Sequence, residues 1–365
     1  MTDLYKTAPE SFSEKLVTIL NMGAMNLAMG IGYRVGLYDA MDTFESPQKA
    51  SVIAGKAGLN LRYTLEWLSI MATGGIITLT KDSSGNNLYH LPKSHADLLT
   101  RRAGNANMGV YTQEIPILAA CAMDPVANAF SSGEGIPYAN YMNFHTFMSE
   151  LANAKHRRVL VNHFLPSVDN GAIVKKIKAG IRVCDLGCSE GIALLIMAQA
   201  FPKSEFVGMD ISGEAVAEAQ KEAGRQGLSN ATFILIDAAT LSENESYEGA
   251  FDYITAFDAI HDQSRPLAAL KGVHHMLADG GTFSMVDIAA HTDVTDNLGH
   301  AMGPFLYTVS LMHCMPVGLV DFGEGLGMMW GREKALEMLG AAGFGSVSVE
   351  EIPDDPFNLH FFCRK

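Results

Sequence analysis

Four short segments in the C-terminal half of this 365-residue chain carry residues whose types and spacing suit ligand chemistry. Val183-Cys184-Asp185-Leu186-Gly187-Cys188-Ser189-Glu190-Gly191 runs from an apolar strand into a Gly-x-x-x-Gly turn and on towards a helix. Glycines there let the main chain turn tightly and approach a ligand at the carboxyl end of a strand, where open α/β sheets bind cofactors. The run is not Gly-x-Gly-x-x-Gly and lacks a P-loop lysine, which argues against a dinucleotide or a nucleoside triphosphate. In Phe206-Val207-Gly208-Met209-Asp210-Ile211-Ser212, Asp210 ends the next strand, where a carboxylate can accept hydrogen bonds from both hydroxyls of a ribose. Ile234-Leu235-Ile236-Asp237-Ala238 places a carboxylate after a third strand, suited to an exocyclic amine. Phe257-Asp258-Ala259-Ile260-His261-Asp262-Gln263 follows a fourth strand, and His261 is the side chain in it able to take a proton near neutral pH.

Such residues work together only if strands deliver them to one edge of a sheet. From residue 181 onward apolar strands alternate with helices, which implies a mainly parallel sheet with right-handed crossovers. The pattern predicts strands over 181–186, 205–210, 232–236, 251–257, 282–287, 346–351 and 359–364, and helices over 192–200, 213–226, 266–277 and 332–342. The fourth strand then borders the topological switch point, where His261 can face a ligand. Between 288 and 331 lies a long Gly-, Met- and His-rich insertion, the kind of segment that forms functional loops. Ahead of the sheet, the pattern gives helices over 32–44, 46–57 and 60–72 and strands over 76–80 and 87–91 around Asp82-Ser83-Ser84-Gly85-Asn86. Ser46-Pro47 and Asn60 supply the helix starts. Helix, helix, helix, hairpin is a winged-helix pattern. Residues 101–165 read as a largely helical connector able to roof a site, with His145, His156 and His163 as structural residues and Tyr138, Tyr141, Phe144 and Phe147 as core. The expected division is therefore a winged-helix and dimerisation domain over 1–100, the connector over 101–165, and the catalytic domain over 166–365.

The three carboxylate segments, in this order, resemble motifs I to III of class I S-adenosylmethionine-dependent methyltransferases over about residues 180–365. The resemblance implies a Rossmann-like seven-stranded sheet whose last strand runs antiparallel. It implies Asp185, Gly187, Cys188 and Gly191 around the methionyl part of the cofactor, Asp210 with Ile211 at the ribose, and Asp237 with Ala238 at the adenine. Phe257 and Asp258 complete that set. Ser189 stands where the family commonly has a glycine. The fourth segment is similar to the His-Asp-Trp stretch of winged-helix small-molecule O-methyltransferases, with Gln263 in the tryptophan position. That likeness makes His261 the base that deprotonates an acceptor hydroxyl. With His313-Cys314-Met315, Gly323-Glu324-Gly325-Leu326-Gly327 and Trp330-Gly331, nearly the whole chain is similar to a winged-helix methyltransferase group typified by a mycobacterial protein.

Bulk composition narrows the partners. A net charge of −14 disfavours nucleic acid and anionic lipid, both of which would be repelled. Residues 1–100 hold eight Lys or Arg against nine Asp or Glu, and the would-be recognition helix offers only Arg62, so the winged helix reads as an interaction module rather than a DNA reader. Five cysteines with no Cys-x-x-Cys pair suggest neither a disulfide framework nor a zinc knuckle, and no metal is expected. Residues 1–15 show no secretory leader, and the uncharged stretch 16–33, interrupted by Thr18, Asn21, Asn26 and three glycines, reads as a buried or homodimer-forming helix rather than a membrane span. The resulting expectation is a cytoplasmic homodimer acting on a small-molecule substrate. The alternative is a winged-helix regulator that senses S-adenosylmethionine without turnover.

Overall fold

The computed structural model describes residues 11–141, 147–148, 156–157, 159–353 and 355–365, and the chain divides into two compact units, 1–117 and 118–365. The first is built on α1 (Phe12–Arg34), which opens with a reciprocal cap: the Ser11 hydroxyl accepts from Glu14 N–H while the Glu14 carboxylate accepts from Ser11 N–H at 2.9 Å. Gly32 lets α1 lie against α4 (Leu61–Thr73), since a Cβ there would sit 2.4 Å from the Trp67 ring. Trp67 Nε1 donates to the Ala28 carbonyl at 2.9 Å and locks the pair.

Two expectations in this unit need correction. The helix read over 32–44 is two: α1 ends at Arg34, the chain turns through Gly36 at φ +76°, and α2 (Leu37–Asp42) begins. The helix read over 46–57 starts only at Ala50, as α3 (Ala50–Ala57), because Gln48 is drawn into a two-way backbone bridge with Tyr89 (2.9 and 2.8 Å). That bridge extends the wing, whose strands β1 (Thr78–Lys81) and β2 (Asn87–His90) pair antiparallel around a turn held by the Asp82 carboxylate. Asn60 caps α4 as expected, accepting from Arg62 and Tyr63 N–H. Helix α5 (Lys93–Leu99) follows the wing, and α6 (Glu114–Ser132) leads into the second unit.

The second unit is a seven-stranded sheet of β3 (Arg182–Leu186), β4 (Glu205–Asp210), β5 (Ala231–Leu235), β6 (Phe251–Phe257), β7 (Leu277–Ile288), β8 (Ser346–Ile352) and β9 (Asp355–Arg364). Their spatial order is β5-β4-β3-β6-β7-β9-β8. All pairings are parallel except those of β9, which runs antiparallel to both β7 and β8, as the sequence resemblance implied. Strand alternation sorts side chains to two cores. Val183, Phe206 and Tyr253 face a core with α7 (Ala172–Ala179), α8 (Ile192–Ala200) and α9 (Gly213–Gln226). Cys184, Met209 and Ile254 face one with α10 (Pro266–Met276) and α12 (Gly331–Ala341). The order reverses at β3, which has β4 on one side and β6 on the other, so the crevice at the carboxyl ends of these strands is the place for a ligand. The 288–331 insertion is substantially helical rather than loop: α11 (Gly303–Val309) runs on into a π-helical turn, Ser310–Cys314. His145 and Phe144, read as parts of the largely helical connector, lie outside the described residues.

Candidate active site

The turn after β3 is shaped by three left-handed residues, Gly187 (φ +70°), Ser189 (φ +49°) and Gly191 (φ +73°). Glycine is required at two of them by space as well as by dihedral, since a Cβ on Gly187 would lie 2.5 Å from Ala259 and one on Gly191 would lie 2.3 Å from the Phe233 ring. Ser189 occupies the common glycine position by adopting a glycine-like conformation, of the strained kind that clusters at functional sites. Its N–H donates to Asp210 Oδ2 at 2.8 Å, and Ser212 N–H donates to Asp210 Oδ1 at 2.8 Å. Gly187 and Cys188 N–H both donate to the Met209 carbonyl (2.8 and 3.1 Å), which ties the turn to the end of β4. Each Asp210 oxygen thereby accepts one of these main-chain bonds, and a carboxylate oriented this way suits hydroxyl donors. Ile211 beside it is exposed.

Asp185 at the end of β3 is buried, and its Oδ1 accepts from the Thr255 hydroxyl at 2.7 Å. Burial raises its pKa to about 7, against the lowering effect of that hydrogen bond, and the Asp210 carboxylate adds to the rise. The Cys188 thiol is likewise pushed up by burial and by both carboxylates, so it stays protonated. Asp237 caps the turn Ala238–Glu243 through a 2.9 Å bond from Ala239 N–H, and its other oxygen pairs with Arg265. Ala238 is buried beneath it. Phe257 meets Phe164 and His156 edge-on at 5.6 and 5.0 Å. Asp258 holds φ +49°, pinned by its N–H to the Val286 carbonyl at 2.9 Å and by a bond from the Asn358 amide to its carboxylate.

His261, in the loop between β6 and α10, is 3% exposed. Its Nδ1 donates to Asp287 Oδ1 at 2.7 Å; the same oxygen accepts from Ile288 N–H at 2.8 Å. That bond fixes the tautomer and turns Nε2 towards Asp262, whose Oδ1 lies 3.4 Å away. Burial pulls the imidazole pKa down, but the carboxylates of Asp287 and Asp262 outweigh it and leave the net well above the ordinary histidine value. Sequence reasoning missed Asp287, and it quoted Cys314 without joining it to His261. Asp287 ends β7, 26 residues downstream, and Cys314 arrives on the π-helical turn of the insertion. His313 beside Cys314 is packed edge-on by Tyr141 at 4.7 Å and Tyr138 at 5.5 Å, and the Tyr141 hydroxyl donates to the Met312 carbonyl at 2.9 Å. The Tyr138 phenol is held above its usual range by burial, with the Asp262 and Asp210 carboxylates adding to the rise.

Comparison with known proteins bears on the domains and the fold. A methyltransferase domain matches residues 177–310 and an Rv2258c-like winged HTH domain matches residues 23–101. Human N-acetylserotonin methyltransferase, solved in complex with SAM, superposes with a TM-score of 0.69 at 15% identity, over 98% of this chain and 99% of that one. The mitomycin 7-O-methyltransferase MmcR superposes with a TM-score of 0.66 at 14% identity, over 97% and 98%. A protein of Synechococcus is 29% identical over 100 residues, 27% of this chain and 24% of that relative. The matches span 24% to 46% of the length of the first curated relatives. The chain therefore joins a winged helix-turn-helix domain to a methyltransferase domain built on the seven-stranded methyltransferase fold.

Proposed function

We propose that the chain transfers a methyl group from S-adenosylmethionine to a hydroxyl oxygen of a small molecule. The observation that carries the reading is the His261–Asp287 pair standing at the same sheet edge as Asp185 and Asp210. The residues suit the cofactor: Gly187 and Gly191 leave room for close approach, and Asp210 is held to accept from ribose hydroxyls. Asp237 and Ala238 then border the adenine, and Phe257 and Asp258 close the pocket from β6. Bound there, S-adenosylmethionine supplies an electrophilic methyl on a cationic sulfonium, which suits the surrounding carboxylates.

Asp287 holds the His261 ring so that Nε2 can accept the acceptor's proton as the methyl arrives. The carboxylates that raise its pKa make it a stronger base with a smaller neutral fraction, so kcat/KM should climb with pH above neutrality. Most of the acceleration comes from alignment of the two reactants. In His261→Ala, kcat should fall by roughly 10² to 10⁴ with S-adenosylhomocysteine affinity almost unchanged. A fall of less than about threefold would remove His261 from the chemistry.

In this reading the protein is a cytoplasmic homodimer with a small-molecule partner and no nucleic-acid partner. The winged HTH match favours a second reading, a regulator that binds S-adenosylmethionine without turnover. Against it, Arg62 of α4 is already paired with Glu66 of the same helix. A gel shift with genomic fragments separates the two.

A further inference from the structure

We infer that Asp262 is a positioning residue for the reaction, holding Nε2 of His261 in the free chain so that an acceptor hydroxyl must displace its carboxylate to reach the base. The imidazole stands between two carboxylates, with Asp287 Oδ1 2.7 Å from Nδ1 and Asp262 Oδ1 3.4 Å from Nε2. The two are not equivalent. Asp287 lies at the end of β7 with its side chain 1% exposed, and its Oδ1 also accepts from Ile288 N–H at 2.8 Å, which keeps it in place. Asp262 stands in the turn ahead of α10 and its side chain is 24% exposed, so it has room to withdraw.

Among the described residues the third titratable group facing the ring is Cys314, whose Sγ lies within 4.8 Å of both Nε2 and Asp262 Oδ1. Burial, with the Asp262 carboxylate adding to it, pushes that thiol up to about 12, so it stays neutral and brings no charge to the pair. The two carboxylates therefore decide the state of the ring, and they act on it in different ways. Asp287 orients the imidazole and strengthens it as a base, whereas Asp262 occupies the nitrogen that has to meet the acceptor. An imidazole paired with a carboxylate on each nitrogen carries both of its protons and cannot take a third.

The inference rests on the methyl-transfer reading for its purpose. As the acceptor hydroxyl enters and Asp262 withdraws, the ring gives its Nε2 proton to water and turns a lone pair to the hydroxyl. That lone pair takes the hydroxyl proton while the oxygen attacks the methyl and the sulfonium leaves as a neutral thioether. The product is an ether with no proton to donate. The ionised Asp262 carboxylate is a stronger acceptor for the Nε2–H than a neutral ether oxygen, so its return releases the product. One proton passes from acceptor to ring to water for each methyl moved, and His261 remains the base throughout.

The test is a pH titration of the full chain labelled with ¹⁵N-histidine, followed by NMR, with S-adenosylhomocysteine calorimetry on the same samples. The His261 ring signals are identified by their loss in His261→Gln. We expect the native ring to carry both protons near neutral pH, and its titration midpoint to fall by about one pH unit or more in Asp262→Asn, a tenfold loss of proton affinity on the scale for removing a nearby opposite charge. Cys314→Ser removes no charge and should leave the midpoint nearly where it was. A midpoint unmoved by Asp262→Asn, or a native ring already neutral near pH 7, overturns the inference, and methyl transfer still stands if S-adenosylhomocysteine binds. A ring that titrates as expected in a chain that binds no S-adenosylhomocysteine supports the Asp262 contact and sinks the methyl-transfer reading instead. Asp262→Ala, checked by thermal melts, gives the same readout should Asp262→Asn fail to fold.

Discussion

Asp185 is the residue at which burial and function meet most directly. A carboxyl raised to about 7 by burial is largely protonated in the free chain just below neutrality, and a sulfonium or ammonium nearby would favour its ionised form. Binding S-adenosylmethionine should then release a proton below about pH 7. Affinity should weaken by up to tenfold per unit as pH falls through that range and level off above it. Calorimetry in buffers of different ionisation enthalpy reads the proton directly, and Asp185→Asn should flatten the profile. The sign for folding is opposite. The fold favours the protonated carboxyl, so this group's contribution to stability is full below its unfolded value near 3.9 and is lost as pH rises towards 7. Both oxygens of Asp210 are oriented by main-chain donors. Asp210→Ala should weaken S-adenosylhomocysteine by about 1.5 to 3 kcal/mol, the scale for hydrogen bonds to a charged group. Unchanged affinity would take Asp210 out of the ribose site. The sequence placed these carboxylates because each stands at the end of its own strand. It did not place Asp287, nor the nearness of Cys314 to His261, because both depend on the pairing of β7 beside β6 and on where the insertion folds back.

Elements were read most accurately where a single local signal decides them. Strands β4 and β6 and helices α8 and α9 fall on their predicted residues, since apolar runs and glycine breaks bound them tightly. The errors came where tertiary pairing competed with local preference, as when the wing captured Gln48 and cut short a helix that Ser46-Pro47 would otherwise start. Two glycines test how far the β3–α8 turn is a constrained element. At Gly191 the left-handed dihedral and the Phe233 ring both oppose a side chain, so Gly191→Ala should destabilise by about 2–4 kcal/mol and also weaken cofactor binding. Gly224, inside α9 with open space around it, presents neither obstacle. There alanine should stabilise by about 0.5–1 kcal/mol. Thermal denaturation of the two variants should move in opposite directions; a melt raised by Gly191→Ala would show that the turn relaxes.

At the scale of the whole molecule the unresolved quantity is what covers α1. The helix is long and apolar enough to cross a membrane by length and composition, yet only 22% of its most apolar window is buried within the chain. Phe12, Leu16, Leu20, Leu27 and Ile31 recur at spacings that keep them along one stripe, with Gly23 in the middle of it, and Leu20 is 65% exposed. A continuous apolar stripe of this length on water is costly, and large exposed patches mark interaction surfaces. The opposite side of the helix is already used, since Gly32 packs against Trp67, whose Nε1 donates to the Ala28 carbonyl. A second copy of the chain presents the same stripe and can bury it symmetrically, with the net charge of −14 opposing random association. Light scattering should therefore give a dimeric mass at micromolar concentration. Leu20→Glu, which places a charge at the centre of the stripe without touching the Trp67 contact, should shift the mass to monomer while leaving the methyltransferase domain folded by circular dichroism. A native chain that is monomeric, or that floats with vesicles of zwitterionic lipid, would remove the dimer and assign the stripe to a different partner or to the bilayer.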